Sequence, residues 1–540
     1  MTARADVAPA GPVARAMPRR WLVAAGLSLI FLLLLWHLAS LLSYIRFTLG
    51  YPFQLDYGEG IVWQQARNIW AGEGYAPLRL FPAVVYHYPP LYHLTFEALA
   101  AWTGLDEMVA GRLVSILSSG FTAVIVALLT RAAIGSATDA RTRNLCGVFA
   151  ALLFLACFPV RMWTPLLRVD MLAGLLGVAG LWFAHKALAR PGHIYLASAM
   201  FVLGMFVKQI SVAPPAAVFL ILLVTNRPLA VRGLAAAMAM GLAGLAIEQW
   251  LNGSEFLRHI VGYNVNRIDP RLLRDILLPQ LSMHAAVIVL GLVGAVAGWR
   301  HVREVVGGWT GMTAAGRKIA DDPKAVLTLM LMLFVAFKTV MLLAMLKSGA
   351  NYNYMVEWFS GIAIFAGVAI APYVGFSLGK AAPDWHIALV ALLFVALPVQ
   401  LVALFGLYAG QPETRMIERL SREKQPIVDL IAATDRPVIS DDMTFPIRAG
   451  RKVEWEAAIT AELGASGVYD QKGFAELVRA HCFGFFVIDG ILGTPPSSSL
   501  YDPGVIAAIR EAYPHVQHIS KYRLYFPDAP ADPGRCASVR

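Results

Sequence analysis

The segment WLVAAGLSLIFLLLLWHLASLLS (residues 21–43) is followed, at 56–60, by the acidic stretch DYGEG. A helix crosses the hydrocarbon core of a bilayer in about 20 apolar residues, so 21–43 is long enough to span. It lacks a small-residue cleavage site after it, which predicts a retained span and not a removed signal peptide. The Ala/Pro/Arg-rich residues 1–20 before it are predicted to be a disordered cytoplasmic N-terminus.

The composition excludes a soluble protein. Of 540 residues, 58% are hydrophobic and only 15% are charged, whereas soluble domains carry about a quarter charged residues. The formal net charge of +10 is compatible with nucleic-acid binding, but the basic residues collect in short loops between apolar runs. That distribution is the positive-inside bias of membrane proteins, so we expect no nucleic-acid partner.

Eleven apolar runs have roughly spanning length. They cover residues 21–43, 110–131, 146–163, 169–188, 194–209, 211–225, 229–249, 279–299, 325–346, 359–378 and 385–408. With the N-terminus inside, the clustered Arg and Lys residues of the short loops all fall on one side. An odd number of spans then places the C-terminal region outside the membrane.

Two outside segments are longer than simple connections, at about 44–109 and 250–278. Within the first, 61–71 and 91–103 have the pattern of helices lying in the membrane interface. From residue 411 to 540 the composition becomes that of a small soluble α/β domain. It is predicted to hold helices at 413–434 (interrupted by Pro426), 473–480 and 503–512, and strands at 437–440, 483–488 and 522–526.

The four cysteines form no metal or redox pattern. Cys146 and Cys157 lie in one apolar run, whereas Cys482 and Cys536 lie far apart near the C-terminus. A disulfide between the last two is compatible with an oxidising compartment, but their spacing does not support it.

Acidic residues near the membrane are the candidate catalytic groups. Asp56 and Glu59 follow the first span, and Asp170 begins the fourth. Transfer of a sugar from a lipid phosphate needs a base, or a metal held by carboxylates, to activate the acceptor hydroxyl. The alternatives are solvated loop acids at 56 and 59, and an Arg168–Asp170 pair that anchors a helix end.

Cations and aromatic residues on the same face are the candidate ligands of a phosphate and a sugar. Lys208, Arg112, Lys347 and His87 are the candidates for the donor phosphate, although a single Lys at a helix end more often snorkels to the interface. The candidate substrate contacts are aromatic, amide and acidic side chains, namely Tyr88, Tyr92, Asn351, Tyr352, Tyr354 and Glu357.

The order of these motifs resembles that of integral-membrane glycosyltransferases. The stretches 56–60, 88–92, 111–113, 168–170, 208–209 and 351–354 follow one another as in the GT-C superfamily, near protein O-mannosyltransferases (glycosyltransferase family 39) and the lipid A aminoarabinose transferases. The resemblance covers about 20–410. It implies a mainly α, polytopic GT-C fold of about eleven transmembrane helices in 21–410, with 411–540 as a periplasmic α/β domain.

The resemblance also implies a function. Such enzymes move a sugar from a polyprenyl phosphate to an acceptor outside the cytoplasmic membrane, here the bacterial inner membrane. It implies that Asp56 activates the acceptor, that Asp170 is the second acid and that Lys208 faces the lipid phosphate. Two departures stand out. The acids are not adjacent, so Asp56 and Glu59 are not ranked, and Tyr88 stands where the aminoarabinose branch has Lys.

Two other classes of protein fit parts of the pattern. A transporter or flippase also has many spans and a few charges within them, such as Lys338 and Glu248. Against it, the spans show no repeat and the charges cluster at one face. The third class is a membrane scaffold whose C-terminal domain binds a partner. The sequence leaves open the sugar, the acceptor (glycan, lipid or protein) and any need for Mg²⁺ or Mn²⁺.

Overall fold

The computed structural model of the protein describes residues 19–308, 311–381, 386–406 and 416–539. The predicted disordered N-terminus and the predicted domain boundary near 410 therefore lie largely outside the described residues. Helices make up most of the described chain, and strands occur after residue 438. The prediction of a mainly α fold with a C-terminal α/β part is confirmed.

Eighteen helices precede the C-terminal part within the described ranges. In chain order they are α1 Arg20–Gly50, α2 Gly58–Trp70, α3 Leu91–Thr103, α4 Glu107–Ile134, α5 Ala140–Ala156, α6 Phe158–Trp163, α7 Asp170–Ala187, α8 His193–Val207, α9 Ala213–Thr225, α10 Arg227–Asn252, α11 Glu255–Leu257, α12 Leu278–Met283, α13 Ala285–Val306, α14 Met312–Ala320, α15 Pro323–Met341, α16 Tyr354–Ser377, α17 Ile387–Ala391 and α18 Leu397–Gly406.

Within the described residues, each of the eleven predicted spans is largely helical, although the runs 146–163 and 279–299 are interrupted at Cys157 and His284. Seven are long and apolar enough to cross a bilayer, and they begin at Arg20, Glu107, Arg227, Ala285, Pro323, Tyr354 and Ala388. Helices α8 and α9 are apolar but shorter. The chain is thus a multi-pass membrane protein, and the number eleven stays a prediction.

Helix α16 is central in the bundle and helix α10 is peripheral, as their burial shows. Most of the apolar window of α16 is buried within the protein, whereas α10 buries little of its own. Large apolar side chains on α10, among them Leu242 and Trp250, are exposed. Exposed apolar stripes of this length are stable against lipid and not against water.

The two helices predicted in the first outside loop are present, as α2 and α3. The expectation that α2 lies in the membrane interface is wrong, because every residue from Gly58 to Ala66 is buried. The C-terminal domain covers it: the Gln64 side chain accepts a hydrogen bond of 2.8 Å from the Val453 backbone. Helix α3 is amphipathic, with Phe96 buried and Trp102 exposed.

The C-terminal domain packs six helices around one mixed sheet. These elements are α19 Met416–Ala432, β1 Ile439–Ser440, α20 Thr444–Arg448, α21 Ala457–Ala465, α22 Gln471–Arg479, β2 Phe486–Asp489, α23 Ser497–Leu500, α24 Pro503–Ala512, β3 His515–Ile519 and β4 Tyr522–Phe526. The strand order is β1-β2-β4-β3. Strand β1 runs parallel to β2, and the other two pairs are antiparallel.

Three features of this domain differ from what the sequence predicted. Pro426 does not interrupt its helix, since α19 continues to Ala432. The proline lies on the exposed side, where water can bond the carbonyl that its missing N–H leaves free. Strand β3 was not predicted, because its residues are mostly exposed and show no apolar alternation. Cys482 and Cys536 form a disulfide, the pairing that spacing alone did not support.

The first prediction concerns the contact between α2 and the C-terminal domain. A Cβ added at Gly60 would lie 2.6 Å from the Cβ of Met443 and 2.8 Å from its carbonyl carbon. We expect Gly60→Ala to lower the free energy of unfolding by about 1–3 kcal/mol, the usual cost of overpacking. Thermal unfolding of the purified protein measures it. The matched control is Gly120→Ala in α4, where nothing lies within 4 Å, and an equal loss in both variants would contradict the packing explanation.

Candidate active site

The stretch from Asp56 to Gly60 connects the membrane bundle with the C-terminal domain. Asp56 pairs with Arg168, 3.3 Å from Oδ2 to Nη1. Gly58 lies directly against the guanidinium of Arg168, because an added Cβ would come within 1.4 Å of Nη1. Gly60 leaves room for Met443 in the same way. The two glycines are therefore positions where a side chain does not fit between packed partners.

Glu59 points away from Asp56 and forms a buried ion pair with Arg112. The Arg112 Nε and Nη2 atoms lie 2.9 and 3.0 Å from the two carboxylate oxygens, and both side chains are 0% exposed. Arg112 also donates to the backbone carbonyls of Thr48, Tyr51 and Phe53. Every donor direction of this guanidinium is thus used within the protein.

The carboxylate of Glu59 is equally occupied. It accepts hydrogen bonds from the backbone N–H groups of Leu55 at 2.7 Å and Leu167 at 2.9 Å. Burial alone would raise the pKa of Glu59, but Arg112 and these hydrogen bonds outweigh it and hold the pKa below its usual range. The structure places neither Glu59 nor Arg112 where a substrate can reach them.

Asp170 is the second buried acid, at the first residue of α7. Its Oδ1 accepts from Lys208 Nζ at 2.6 Å and from Asn353 Nδ2 at 2.9 Å. The indole of Trp163 donates to Oδ2 at 3.1 Å. The Lys208 ammonium also lies 4.9 Å from the centre of the Tyr354 ring, a cation–π distance.

Arg168 joins the two acids into one group, which we call the acid–cation cluster: Asp56, Asp170, Arg168 and Lys208. The charge of Arg168 acts on Asp56 most strongly and on Asp170 as well. The phenol of Tyr88 lies within the field of both cations. Two carboxylates and two cations therefore share one polar region at the end of the bundle that faces the C-terminal domain.

A second ion pair continues this region into the bundle. Glu357 lies 2.7 Å from Lys338 and 3.5 Å from the Ser211 hydroxyl. Both pairs line one small cavity together with uncharged side chains, its lining being Asp170, Lys208, Ile210, Lys338, Met341, Asn353, Tyr354 and Glu357. Ionised groups are costly inside a bilayer, and pairing them lowers that cost.

Four other predicted residues lie outside the cluster. The Tyr92 hydroxyl is buried, donating to the Gly111 carbonyl at 3.0 Å. Lys347 is exposed, and its backbone pairs with Ile268. Tyr352 packs edge-on against Phe158 and Trp163, with the Asn351 side chain accepting from its backbone N–H at 2.8 Å.

His87 lies near the cluster without a charge. Burial lowers its pKa to about 4, so the imidazole is neutral at neutral pH. One ring nitrogen lies 3.2 Å from the Tyr263 carbonyl. His87 can therefore offer a hydrogen bond to a ligand, but it does not supply the positive charge that Tyr88 lacks.

Sequence reasoning missed the contribution of the C-terminal domain. Glu456 precedes α21 and is buried. Burial raises its pKa to about 7, and the nearby charge of Arg168 opposes that shift. In the same turn the Ala458 N–H donates to the Tyr57 hydroxyl at 3.4 Å. No local pattern marks Glu456, because its place near Arg168 depends on how the domain docks.

The carboxylates are not arranged as a metal site. Within the described ranges, no group of three or more His, Cys, Asp or Glu side chains is placed to hold a metal ion. Asp56 and Asp170 are each engaged by a cation instead. We therefore assign no metal to the acid–cation cluster.

Comparison with solved structures identifies the fold. ArnT from Cupriavidus metallidurans bound to undecaprenyl phosphate aligns with a TM-score of 0.54 at 13% identity, covering 94% of this chain and 98% of the other. The chain has the GT-C fold. The archaeal oligosaccharyltransferase AglB from Archaeoglobus fulgidus, in complex with an inhibitory peptide and a dolichol-phosphate, aligns at 0.52 and 11%, covering 92% and 75%. No protein-family profile and no curated protein matches the sequence.

The fold agrees with the resemblance found in the sequence. Both aligned proteins are polytopic membrane glycosyltransferases of that superfamily. The alignment with ArnT extends over nearly the full length of both chains, so it includes the C-terminal domain as well as the bundle.

The second prediction is that Glu59 supports the fold. Removing one partner of a buried ion pair costs about 3–5 kcal/mol, because the other charge stays buried without compensation. We expect Glu59→Gln to unfold at a much lower temperature or to fail to accumulate. The control is Glu511→Gln, whose pair with Arg479 is largely exposed. Glu59→Gln protein as stable as the wild type would contradict this role.

The third prediction concerns pH. Burial raises the pKa of Glu456 from 4.5 to about 7, although Arg168 opposes the shift. Between these values the folded protein holds a proton that the unfolded chain has lost, so stability falls as the pH rises from about 4.5 to 7. In Glu456→Gln the free energy of unfolding should no longer fall over this pH range, a difference from the wild type of up to about 3 kcal/mol. Unfolding at several pH values measures it. The exposed Glu476→Gln is the control, and parallel wild-type and Glu456→Gln profiles would contradict the shift.

Proposed function

We propose that the protein is a glycosyltransferase that moves a sugar from a polyprenyl phosphate to an acceptor at the outer face of the membrane. The observation that carries the proposal is the acid–cation cluster at the mouth of a GT-C bundle. Two carboxylates and two cations suit a reaction in which a hydroxyl loses a proton while a phosphate leaves. The aligned ArnT structure contains undecaprenyl phosphate, which supports the same class of donor here.

Asp56 is the proposed base. Its side chain is 21% exposed, whereas Glu59 and Asp170 are buried, so Asp56 is the acid of the three that an acceptor can approach. Its Oδ2 accepts from the Gly58 N–H at 3.2 Å, and within the described residues Oδ1 has no protein donor. That oxygen is free to take a proton.

The proposed step forms one bond and breaks one bond. The acceptor oxygen attacks the anomeric carbon and gives its proton to Asp56, while the bond from that carbon to the phosphate oxygen breaks. The electron pair leaves with the polyprenyl phosphate. Attack opposite the leaving group inverts the anomeric centre. General-base assistance of this kind contributes typically 10²–10⁴-fold to a rate.

Arg168 and Lys208 are the proposed partners of the leaving phosphate. Each is paired with a carboxylate, which keeps the charges balanced before the donor binds. A phosphate gains charge as the sugar leaves, and charge-assisted hydrogen bonds to a guanidinium and an ammonium stabilise that charge. Asp170 then acts as a positioning residue, because it orients Lys208 and does not meet the reacting atoms.

The aromatic and amide residues beside the cluster are the proposed sugar contacts. Tyr88 and Tyr354 flank the two cations. Asn353, the residue before Tyr354, donates a hydrogen bond to Asp170. On the other side, the C-terminal domain brings Glu456 towards Arg168. We infer that this domain covers the site and contributes to binding the acceptor.

The proposed location follows from the charge bias of the loops. Basic connections on one side predict a cytoplasmic N-terminus and a periplasmic C-terminal domain in a bacterial inner membrane. The disulfide between Cys482 and Cys536 is in keeping with an oxidising compartment. Membrane lipids, a polyprenyl-linked sugar and a glycan, lipid or protein acceptor are the expected partners.

The charges that favoured a transporter have another explanation. Lys338 pairs with Glu357 beside Asp170, so it belongs to the cavity of the proposed enzyme site. Glu248 bonds Asn252 on the peripheral helix α10. A transporter would lose substrate flux when these two charges are neutralised, whereas the enzyme would not depend on Glu248.

The fourth prediction tests Asp56. Asp56→Asn keeps the shape of the side chain but cannot accept the proton, so we expect transfer to fall at least ~100-fold with folding intact. Mass spectrometry of envelope lipids and glycans in a deletion strain identifies the missing product, and complementation with each variant measures its return. Asp275→Asn, an exposed acid of the second outside loop, is the control. Full transfer by Asp56→Asn would overturn the assignment.

A further inference from the structure

A second polar cavity lies at the other end of the bundle. It has a volume of about 520 Å³ and opens between α4, α5, α7 and α15. Helix α7 has 18 residues and begins at Asp170, so at 1.5 Å per residue its far end is about 27 Å from the acid–cation cluster. The cavity is therefore remote from the proposed reaction.

Basic side chains dominate the lining of this cavity. Arg131, Arg143, Lys186 and Lys324 line it, together with the imidazole of His185. Across the described ranges, no carboxylate lies within ion-pairing distance of any of these four cations. The Nε atom of Arg143 is buried without a hydrogen-bond partner. None of the four cations is thus ion-paired within those ranges, although the charges of Asp322 and Glu304 act on Lys324 from beyond ion-pairing distance.

The one acid of the lining is already engaged. Asp322 accepts hydrogen bonds from the backbone N–H groups of Lys324 and Ala325, at 2.8 and 3.0 Å. Its second oxygen lies 3.0 Å from His301. Asp322 therefore caps the start of α15, and its charge acts on Lys324 without forming an ion pair with it.

Two of these cations pack closely against glycines of the neighbouring helices. A Cβ added at Gly135 would lie 2.9 Å from Cδ of Lys324, and one added at Gly147 would lie 3.2 Å from Cγ of Arg131. Gly135 has a φ of +90°, which ends α4 and lets the Lys324 chain pass over it. Exposed cations of a membrane loop normally spread apart into water, whereas these converge on one space.

The remaining walls are apolar. Leu128, Ala132 and Trp182 line the cavity on the side of the helices, and the Lys186 ammonium lies 4.5 Å from the centre of the Trp182 ring. A cavity with apolar walls and a basic rim matches a molecule with hydrocarbon chains and a charged head. Basic pockets between transmembrane helices are typical sites for anionic lipids.

We propose that this cavity binds the anionic head group of a membrane phospholipid, at the face of the membrane opposite the acid–cation cluster. The head group supplies the negative charge that Arg131, Arg143, Lys186 and Lys324 lack. Its acyl chains lie along the apolar wall formed by Leu128. Binding ties together four helices, one of which, α7, also carries Asp170 of the acid–cation cluster at its other end.

The fifth prediction tests this lipid site. The full-length protein in a zwitterionic detergent is titrated with phosphatidylglycerol, with phosphatidylcholine of the same chains, and with inorganic phosphate. Native mass spectrometry and thermal unfolding report binding. We expect phosphatidylglycerol to bind and stabilise, and the other two to do so weakly or not at all. Arg131→Gln/Arg143→Gln is expected to lose about fivefold in affinity per cation, or ~25-fold in total.

The control removes the same charge elsewhere. Arg227→Gln/Arg232→Gln changes two exposed arginines at the start of α10, outside the cavity, and should keep the affinity. Without lipid, the cavity variant should be at least as stable as the wild type, because it relieves repulsion between like charges. Equal binding of both phospholipids, a cavity variant with full affinity, or the same stabilisation by free phosphate would each overturn the proposal.

Discussion

The bidentate pair between Glu59 and Arg112 is the interaction on which the half of the bundle next to the C-terminal domain depends. Arg112 lies near the start of α4 and donates to one carbonyl in the last turn of α1 and to two just after it, while Glu59 lies in α2. Helices α1, α2 and α4 therefore meet at one guanidinium. A fully buried ion pair is stable only when its hydrogen bonds are complete, and here both partners meet that condition.

This pair also determines the orientation of Asp56, the proposed base. Asp56 precedes Glu59 by one turn, and the Glu59 N–H donates to the Asp56 carbonyl at 3.0 Å. With Glu59 held by Arg112, Asp56 is turned towards Arg168. The two acids of the same short stretch have different roles because their surroundings differ: one is fully paired in the core, and the other keeps an oxygen available.

Much of the fold could be predicted from the sequence. Apolar runs and loop charges are local signals, so they indicated the spans, the two helices of the first outside loop and the α/β domain. The site was predicted only in part. Lys208 pairs with Asp170 and Asp56 pairs with Arg168, and the catalytic roles of these residues stay predictions. Their common partner Arg168 was considered only as an anchor for Asp170.

The remaining differences come from contacts between distant parts of the chain. Nothing within 56–60 reveals that Glu59 faces Arg112 while Asp56 faces Arg168. The burial of α2 and the approach of Glu456 depend on the docking of the C-terminal domain. Tyr92 shows the same limit: its motif suggested a ligand contact, but its hydroxyl bonds Gly111 in the core.

The docking of α2 under the C-terminal domain has a consequence for biosynthesis. Gln64 and Val453, which bond across that contact, are 389 residues apart in sequence. A nascent chain that has inserted its first spans therefore exposes α2 until the last part of the protein has been translated and has folded against it. Arg168 meets Glu456 only after that event, so an unfinished chain in the membrane has an incomplete centre.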